Sequence, residues 1–555
     1  MYEELLERIK EEKPDKERLI QLKNEFSTKH KLKGTPKDAT LFMHADKDYE
    51  FFKKYLNLKP VRTISGVAPI SVVTIPERCK HGVCTFCPGG PGSVFGDVPQ
   101  SYTGREPAMR RAIRNKYDPY LQIMNRLEHY IVIGQVPQKT EIIIQGGTFA
   151  SYDKNYQEEF VTFIYKAMND FSEMFYNEEL DMEKFKEFFE LPGDINDIKR
   201  IENIHKKLLE KKGKSSLEVE QKRNEKSSIR DTVFCVETKP DWCFEEHINQ
   251  MLRLGVTRVE LGVQTIYDEI LKYTNRGHTM KDTLKSIQLL KDSFLKVGFH
   301  VMPGLPRSDR EKDINIFREF FSNSEFKPDS MKIYPCLVMK GTPLYELWKR
   351  GEFKPLKIEE AIDIISEGKN FVDKYCRIMR CQRDIPSNMI EDGVKKTNLR
   401  QSLNKVLQEK EIKCKCIRCR EPGAREINWD GIKLLRYDYD SSGGREVFLS
   451  FEDVENDIML GFIRLRKPGK AFRPEITDKT VGIREIKVYG AAAKLGEVGK
   501  VQHRGLGKRL LIEAERIAKE EFNADKILVM SSIGTKEYFR KLGYSEDGVY
   551  MGKLL

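Results

Sequence analysis

The 555-residue sequence predicts an α/β protein in which a helical N-terminal region precedes a partial (βα)6 barrel, and a smaller α+β domain follows the barrel. Three observations support this fold class. Between residues 61 and 345, short apolar runs alternate with helical patterns, which is typical of parallel βα units. A loop with Cys79, Cys84 and Cys87 follows the first run. Near the C-terminus, the glycine-containing loop 502–508 connects a strand pattern to an amphipathic helix pattern.

The composition favours a protein of the cytoplasm. The N-terminus has no apolar segment, and no run approaches the roughly 18 apolar residues that a membrane span needs. The 11 cysteines are clustered, which in such a chain favours metal binding over disulfides. The formal net charge of +11 permits a polyanionic partner such as a nucleic acid.

We divide the chain into four predicted regions. Residues 1–65 form a helical, basic N-terminal region, in which the basic loop 29–37 is either a solvated linker or an arm that contacts phosphates. Residues 66–345 form the barrel, with a charged helical insertion near 171–230. Residues 346–430 form a cysteine-rich connector, and residues 431–555 form the α+β domain.

The barrel region contains six predicted strands. In parallel barrels the functional site lies at the carboxyl ends of the strands, and the three-cysteine loop follows the first strand at that end. The predicted strands cover residues 70–75, 141–145, 232–236, 258–263, 298–302 and 330–334.

The cysteine loop has the spacing C-x4-C-x2-C and allows two interpretations. Three thiolates can bind one face of a [4Fe–4S] cluster and leave one iron open for S-adenosylmethionine (SAM). Alternatively, the three thiolates and His81 could form a structural zinc site, since zinc normally takes four ligands.

Polar or glycine-rich residues follow several of the other strands. Gly146 and Gly147 end the second strand and allow a close approach of the backbone to a ligand. Glu237 ends the third strand and Gln264 the fourth, and Arg276 follows as a candidate clamp for a carboxylate. Because these ends share one face of the barrel, we predict that all five residues contact SAM there.

The connector holds a second thiol cluster, which consists of Cys414, Cys416 and Cys419 in a basic neighbourhood. These are either candidate zinc ligands or reduced, unligated cysteines. The candidates for a fourth zinc ligand are Cys336, Cys376 and Cys381.

The C-terminal region predicts strands at 443–451, 459–465 and 483–489, then the loop 502–508 and a helix over 510–521. Glycines in such a loop let successive N–H groups at a helix N-terminus face a pyrophosphate. The pattern resembles the acetyl-CoA site of the GNAT acyltransferase fold.

The combination of this domain with a barrel that carries a three-cysteine loop resembles the catalytic subunits of Elongator, which unite a radical SAM domain and a GNAT domain. The resemblance covers nearly the whole chain and implies carboxymethylation of the wobble uridine (position 34) of tRNA, with a [4Fe–4S] cluster, SAM and acetyl-CoA. The stretches that carry it most specifically are 84–92, 100–104, 146–149, 260–265, 382–386, 502–507 and 538–544.

The resemblance also assigns roles to individual residues. Cys79, Cys84 and Cys87 would bind the cluster, and Cys84, Cys87, Lys139 and Tyr538 would serve catalysis. The implied acetyl-CoA contacts are Lys139, the backbone of Glu485, Ile486, Lys487 and Val488, the loop residues Val501, Gln502, His503, Arg504, Gly505 and Gly507, and Tyr538.

Two departures from the family pattern shape the remaining expectations. The spacing before Cys84 is shorter than in eukaryotic members, which makes Cys79 the least secure ligand and indicates an archaeal member that acts as a monomer or homodimer without the other Elongator subunits. The cluster around Cys414 is not shared by all members, so zinc is an accessory hypothesis. The competing functions are a protein lysine acetyltransferase with a structural iron–sulfur cluster, for which Glu485 is a candidate base, and a non-catalytic RNA-binding scaffold.

Overall fold

The structure is a computed structural model that describes residues 2–45, 48–52, 54–56, 66–396, 398–423, 425–490 and 505–555. The chain forms two compact units. The first unit comprises Met1–Ile70, Asp118–Glu141 and Glu159–Thr232, and the second comprises Ser71–Tyr117, Ile142–Glu158 and Val233–Leu555.

The N-terminal region is helical, as predicted. Leu5, Leu6 and Ile9 lie at helical spacing and are buried, so they form the apolar face that the sequence indicates. The helices are α1 (Glu3–Glu12), α2 (Lys16–Lys29), α3 (Asp38–Met43) and α4 (Tyr49–Phe52).

The next region is built around a seven-stranded sheet with the order β1-β4-β7-β8-β9-β10-β12. The pairs β7–β8, β8–β9, β9–β10 and β10–β12 are parallel, as in a partial barrel of βα units. The strands are β1 (Val67–Val73), β2 (Gly90–Ser93), β3 (Gly96–Val98), β4 (Lys139–Gln145), β5 (Tyr176–Asn177), β6 (Glu179–Leu180), β7 (Arg230–Thr238), β8 (Arg258–Gln264), β9 (Lys296–Val301), β10 (Ser330–Ile333), β11 (Val338–Met339), β12 (Arg377–Arg380) and β13 (Ile390–Asp392).

Helices connect these strands and form the insertion and the connector. Among the described residues, no helix is long and apolar enough to span a bilayer. The helices are α5 (Pro107–Arg114), α6 (Pro119–Val132), α7 (Lys154–Phe175), α8 (Met182–Phe188), α9 (Ile198–Lys212), α10 (Leu217–Asn224), α11 (Glu245–Arg253), α12 (Asp268–Tyr273), α13 (Met280–Asp292), α14 (Arg310–Ser322), α15 (Pro343–Lys349), α16 (Ile358–Gly368), α17 (Leu399–Glu409) and α18 (Ile417–Arg420).

The half-barrel fold class is confirmed, with two corrections of detail. The first strand runs from Val67 to Val73 rather than over 70–75, and Ile75 lies beyond it with 42% of its surface exposed. The sheet also gains β12, which the sequence did not predict. Because β12 has only four residues and begins and ends with arginine, it has no apolar run that would indicate a strand.

The C-terminal region forms a second seven-stranded sheet, with the order β14-β15-β16-β17-β18-β20-β19. Strands β17 and β18 are parallel, whereas the other pairs are antiparallel. This arrangement agrees with the predicted α+β domain, and its assignment to the GNAT fold stays a prediction. The elements are β14 (Ile432–Ser441), β15 (Gly444–Asp453), β16 (Ile458–Lys467), β17 (Thr480–Val488), α19 (Leu506–Glu520), β18 (Lys526–Val529), α20 (Lys536–Arg540), β19 (Ser545–Asp547) and β20 (Tyr550–Leu554).

The second sheet packs against the amino-terminal ends of β9 and β10 through buried ion pairs. Arg484 on β17 binds both oxygens of Asp329, at 2.6 and 2.8 Å. Arg466 on β16 binds Asp292 at 2.5 Å. Since all four side chains have no exposed surface, this contact joins the half-barrel and the C-terminal sheet into one ionic core.

Candidate active site

The three-cysteine loop follows the carboxyl end of β1 and is held in place by the segment 100–101. Cys84 and Cys87 are buried and Cys79 is half-buried. The side-chain oxygen of Gln100 accepts a hydrogen bond from the Cys79 backbone N–H at 2.8 Å, and the Ser101 hydroxyl lies 3.3 Å from the Cys87 sulfur. This segment therefore fixes two of the three cysteines, and in the sequence only the family resemblance points to it.

The spacing of the thiols bears on the choice between zinc and a larger cluster. The sulfurs of Cys79, Cys84 and Cys87 do not all lie within 4.8 Å of one another. His81 lies 3.2 Å from the Cys84 sulfur, and burial lowers the pKa of its imidazole to about 4. These three sulfurs are more widely spaced than the ligands of a single ion. Their spacing therefore fits an iron–sulfur cluster better than a zinc ion.

A turn after α12 packs against the cysteine loop from the other side. The Asn275 side chain donates a hydrogen bond to the Val83 carbonyl at 2.9 Å. Arg276 places one guanidinium nitrogen 3.3 Å from the Cys84 sulfur and another 2.9 Å from the Gly262 carbonyl at the end of β8. The predicted clamp residue therefore lies directly beside a predicted cluster ligand.

The two positions after β4 require glycine for different structural reasons. A Cβ on Gly146 would lie 2.1 Å from the Thr74 hydroxyl, and its φ is +127°, so packing alone excludes a side chain there. A Cβ on Gly147 would lie 4.0 Å from the Cys79 sulfur, and φ is +93°. Gly147 is therefore the glycine that keeps the backbone close to the cysteine loop.

Around Arg276, several buried polar atoms have no hydrogen-bond partner among the residues that the structure describes. Such atoms are costly in a folded protein unless a ligand or water satisfies them. Burial also lowers the pKa of His278 to about 2, so its ring is neutral. This set could hold the polar groups of SAM, and the cysteine loop could hold the cluster. Within the described part of the chain, the unpartnered atoms are Thr238 Oγ1, Gln264 Oε1, Thr265 Oγ1 and Arg276 Nε.

Gln264 is the most constrained of these residues. Its φ is +67°, a left-handed conformation that is rare for residues with a side chain and is often retained at functional sites. The Gln264 and Arg276 side chains meet over Gly262, where a Cβ would lie 2.9 Å from a nitrogen of each. Gly262 therefore gives both side chains the room to converge.

We expect Gln264→Ala to raise the apparent KM for SAM by about tenfold, since a hydrogen bond to a charged group contributes about 1.5–3 kcal/mol. The measurement is the rate of 5′-deoxyadenosine formation as a function of SAM concentration. Iron content should stay unchanged, because Gln264 is not a cluster ligand. An unchanged KM would contradict a role of Gln264 in SAM binding.

Glu237 belongs to a charged cluster at the strand ends, and its predicted contact with SAM stays a prediction. Its carboxylate pairs with the Lys332 ammonium at 2.8 Å, and Lys332 also pairs with Glu260. His300 Nε2 lies 3.0 Å from Glu260. Burial disfavours the Lys332 ammonium, but the two carboxylates outweigh burial and raise its pKa. Glu237 is thus committed to a charged cluster inside the half-barrel, which the sequence did not indicate.

Lys139 is exposed and is the first residue of β4, at the opposite end of that strand from Gly146 and Gly147. Partial desolvation of its ammonium, and then the charge of Arg230, lower its pKa.

In the C-terminal domain, three of the predicted acetyl-CoA contacts come together. A Cβ on Gly507 would lie 3.6 Å from Val488 and 3.8 Å from the Tyr538 hydroxyl. Gly505 caps the N-terminus of α19 with φ +75°. Pairing of β18 with β17 ends at Ile483, before the predicted contact stretch from Glu485 through Ile486 and Lys487 to Val488. Val501, Gln502, His503 and Arg504 lie outside the described residues.

Glu485 does not have the properties of a general base. Its carboxylate pairs with Lys296 and with Arg464, the latter at 2.9 Å. Burial works against its ionisation, but the charges of Lys296 and Arg464 outweigh burial and hold its pKa at about 2. Efficient general bases have a pKa near the working pH, so only the backbone of Glu485 remains available for acetyl-CoA.

The second thiol cluster converges as a single-ion site would. The sulfurs of Cys414, Cys416 and Cys419 all lie within 4.8 Å of one another. Hydrogen bonds from Cys414 and Cys419 hold the pKa of Cys416 below its usual range. The buried Lys369 ammonium, which has no hydrogen-bond partner among the described residues, contributes a positive charge to all three thiols.

Comparison with known proteins matches three domain families. The radical SAM superfamily matches residues 73–317, its C-terminal domain 328–411, and the ELP3 N-terminal domain 1–64. The tRNA uridine(34) acetyltransferase of Methanocaldococcus jannaschii is 50% identical over 98% of this chain and 94% of its own length. Elongator complex protein 3 of Saccharomyces cerevisiae is 38% identical over 95% of this chain and 90% of its own. The structure of archaeal Methanocaldococcus infernus Elp3 with an N-terminal deletion has a TM-score of 0.72 at 44% identity, and the match covers 89% of this chain and all of that one.

Proposed function

The chain belongs to the family that contains the archaeal tRNA uridine(34) acetyltransferases and Elongator complex protein 3, and from this we propose that it is a radical SAM enzyme that adds a carboxymethyl group to C5 of the wobble uridine of tRNA. One observation supports the proposal most directly. Arg276 contacts the Cys84 sulfur of the cysteine loop, and unpartnered buried polar atoms lie around Arg276. A buried polar set beside three thiols fits SAM next to a cluster better than it fits a purely structural metal.

Each part of this site has a defined task. Cys79, Cys84 and Cys87 would bind a [4Fe–4S] cluster, which together with SAM supplies a 5′-deoxyadenosyl radical. Arg276 and Gln264 would orient SAM by hydrogen bonds from groups that folding has already desolvated. Gly147 would let the backbone close over the same ligand.

The co-substrate would be acetyl-CoA, bound by the C-terminal domain. The N-terminus of α19 offers backbone N–H groups to a pyrophosphate, and Tyr538 stands beside Gly507. The proposed role of Lys139 as a further acetyl-CoA contact rests on the family resemblance alone. The 5′-deoxyadenosyl radical would take a hydrogen atom from the acetyl methyl group and become 5′-deoxyadenosine, and the methylene carbon would then bond to C5 of the uridine. Loss of the C5 hydrogen as a proton, with one electron returned to the oxidised cluster, would restore the C5–C6 double bond. Hydrolysis of the thioester would release CoA and leave the carboxymethyl group.

The competing function is protein lysine acetylation. It needs a base near neutral pKa, and Glu485 is held ionised at a pKa of about 2 by two buried cations. The scaffold hypothesis does not account for the unpartnered polar atoms around Arg276.

One assay separates the three functions. Purified protein with a reconstituted cluster is incubated with reductant, SAM, acetyl-CoA and unmodified tRNA, and the nucleosides are analysed by mass spectrometry. Carboxymethyluridine formation supports the proposal. Acetyl-lysine without modified uridine would support the acetyltransferase, and tRNA binding with neither product would support the scaffold.

We further propose that Cys414, Cys416 and Cys419 bind zinc, with Lys369 offsetting the negative charge of the thiolates. Burial raises the pKa of Cys376 and Cys381, two of the proposed fourth ligands, and the charge of Cys416 adds to this effect in both.

The zinc proposal predicts about one zinc per chain, which Cys416→Ser removes. Because structural zinc sites stabilise the fold around them, the variant should also unfold at a lower temperature. Metal analysis and thermal unfolding measure the two effects. A wild-type chain without zinc would contradict the proposal.

The remaining expectations concern partners and location. We propose that the chain modifies tRNA as a monomer or homodimer without other Elongator subunits, in the cytoplasm. Activity of the purified chain alone, together with its mass in solution, tests the first of these.

A further inference from the structure

His81 lies inside the cysteine loop and has no task in the proposed function. The Gly82 backbone N–H donates a hydrogen bond to the Cys79 carbonyl at 3.0 Å, which closes a tight turn between Cys79 and Cys84. The half-buried His81 side chain extends from this turn, and its Nε2 lies 3.2 Å from the Cys84 sulfur. The imidazole therefore contacts a proposed cluster ligand without being one of the three thiols.

The turn after α12 holds the imidazole in this position. A Cβ on Gly277 would lie 2.6 Å from the His81 Cβ, and 3.0 and 3.2 Å from two carbons of its ring. Gly277 also has a φ of +74°, which favours glycine. The absence of a side chain at position 277 thus lets the backbone pack directly on His81. This contact places the His81 ring between Gly277 and the Cys84 sulfur.

The Cys84 sulfur is approached by two nitrogen donors. Besides His81, a guanidinium nitrogen of Arg276 lies 3.3 Å from it. A second nitrogen of Arg276 donates to the Gly262 carbonyl at 2.9 Å, so the guanidinium is fixed at both ends. A thiolate bound to iron has no proton and can only accept a hydrogen bond, so His81 would carry its hydrogen on Nε2.

Donors of this kind change the reduction potential of an iron–sulfur cluster. Reduction adds one negative charge, and part of that charge resides on the sulfur ligands. A hydrogen bond to a ligand sulfur therefore stabilises the reduced form more than the oxidised form and makes the potential less negative. Radical chemistry with SAM begins from the reduced form, so a donor on Cys84 bears directly on whether the reaction can start.

We propose that His81 is a positioning residue that donates a hydrogen bond from Nε2 to the Cys84 sulfur and thereby makes the bound cluster easier to reduce. The proposal rests on the proposed function, since it concerns the same cluster. It also accounts for glycine at position 277, where a side chain would displace the imidazole from Cys84.

The variants His81→Leu and His81→Gln test the donor. Leucine keeps much of the bulk and removes the hydrogen bond, whereas the glutamine amide can donate from about the same position. The measurement is a redox titration of the reconstituted protein with dithionite, without SAM, followed by EPR of the reduced cluster. At the midpoint potential of the wild type, His81→Leu should show an about tenfold lower ratio of reduced to oxidised cluster, which is a shift of about 59 mV for a one-electron couple.

Two comparisons separate this effect from a general disturbance of the loop. His81→Gln should restore most of the wild-type potential, which a merely structural role of the imidazole would not predict. The control Val83→Ala changes a side chain of the same loop that is 45% exposed and offers no donor, so iron content and potential should stay unchanged.

Pulsed EPR of protein with ¹⁵N-labelled histidine shows how the imidazole contacts the cluster. A weak nitrogen coupling that disappears in His81→Leu supports the proposal. A strong coupling, as expected of a direct iron ligand, would overturn it, and so would a His81→Leu variant with the wild-type potential. A wild-type protein that binds no iron–sulfur cluster would overturn the proposed function as well, so the two failures are distinguishable.

Discussion

Replacing Cys84 with alanine is expected to abolish both 5′-deoxyadenosine formation and uridine modification. Cys84 is the buried middle cysteine of the loop, and Arg276 contacts its sulfur at 3.3 Å. Without it, two thiols would remain for the proposed cluster, and Arg276 would keep only its contact with the Gly262 carbonyl. Iron content, the absorbance of the cluster and the yield of 5′-deoxyadenosine measure the loss directly.

The control for this variant is Cys243→Ala, which makes the same change at another buried thiol. Burial raises the pKa of Cys243, so it stays a neutral thiol outside the loop. Cys243→Ala should retain iron and 5′-deoxyadenosine formation, even if it loses some stability from the small cavity. If Cys84→Ala kept its full iron content and cleaved SAM, the assignment of the cluster to this loop would be wrong.

The parts of the site that could be predicted from the sequence are local ones. Cys79, Cys84 and Cys87 lie within nine residues, so their spacing is visible without any knowledge of the fold. Gly147 follows β4 and Gln264 ends β8, and parallel strands bring their carboxyl ends to one edge. In both cases a rule of local geometry was sufficient.

The parts that could not be predicted depend on distant ion pairs. Lys332 pairs with Glu237 across 95 positions of the chain, and Arg466 pairs with Asp292 across 174. A charged residue in a strand pattern is ordinarily read as exposed, because burial of an unpaired charge is costly. Only the partner makes burial acceptable, and no local pattern identifies the partner.

Glu485 is a second carboxylate whose role depends on distant ion-pair partners. As a carboxylate on a strand next to a predicted acetyl-CoA site, it was a reasonable candidate base. In the fold it joins Lys296 of the half-barrel and Arg464 of the C-terminal sheet, so it contributes to domain docking. Its ion pairs therefore favour tRNA modification over lysine acetylation.

Asp329→Asn should lower the free energy of unfolding by about 3–5 kcal/mol, which is the usual cost of breaking one side of a buried ion pair. Asp329 has no exposed surface and binds Arg484 through both oxygens, and it also accepts a hydrogen bond from the Val297 backbone N–H at 2.8 Å. The neutral amide leaves Arg484 and Arg464 buried with less compensating charge. Urea unfolding of the two proteins measures the difference.

The pH dependence and an exposed control make this prediction specific to the ionic core. Burial disfavours ionisation of Asp329, but Arg484 and Arg464 outweigh burial and hold its pKa well below the usual range. The stability that Asp329 contributes is therefore complete above the unfolded pKa of about 4 and is lost as the pH falls toward the lower folded value. The difference in unfolding free energy between wild type and variant should be constant from about pH 5 to 8 and should narrow in stronger acid.

The exposed control is Asp525→Asn, which removes a carboxylate that pairs with Lys479 at 3.2 Å while 66% of its side chain is exposed. This substitution should lower the free energy of unfolding by less than about 1 kcal/mol. Equal effects of the two substitutions would show that the buried pairs do not hold the half-barrel and the C-terminal sheet together.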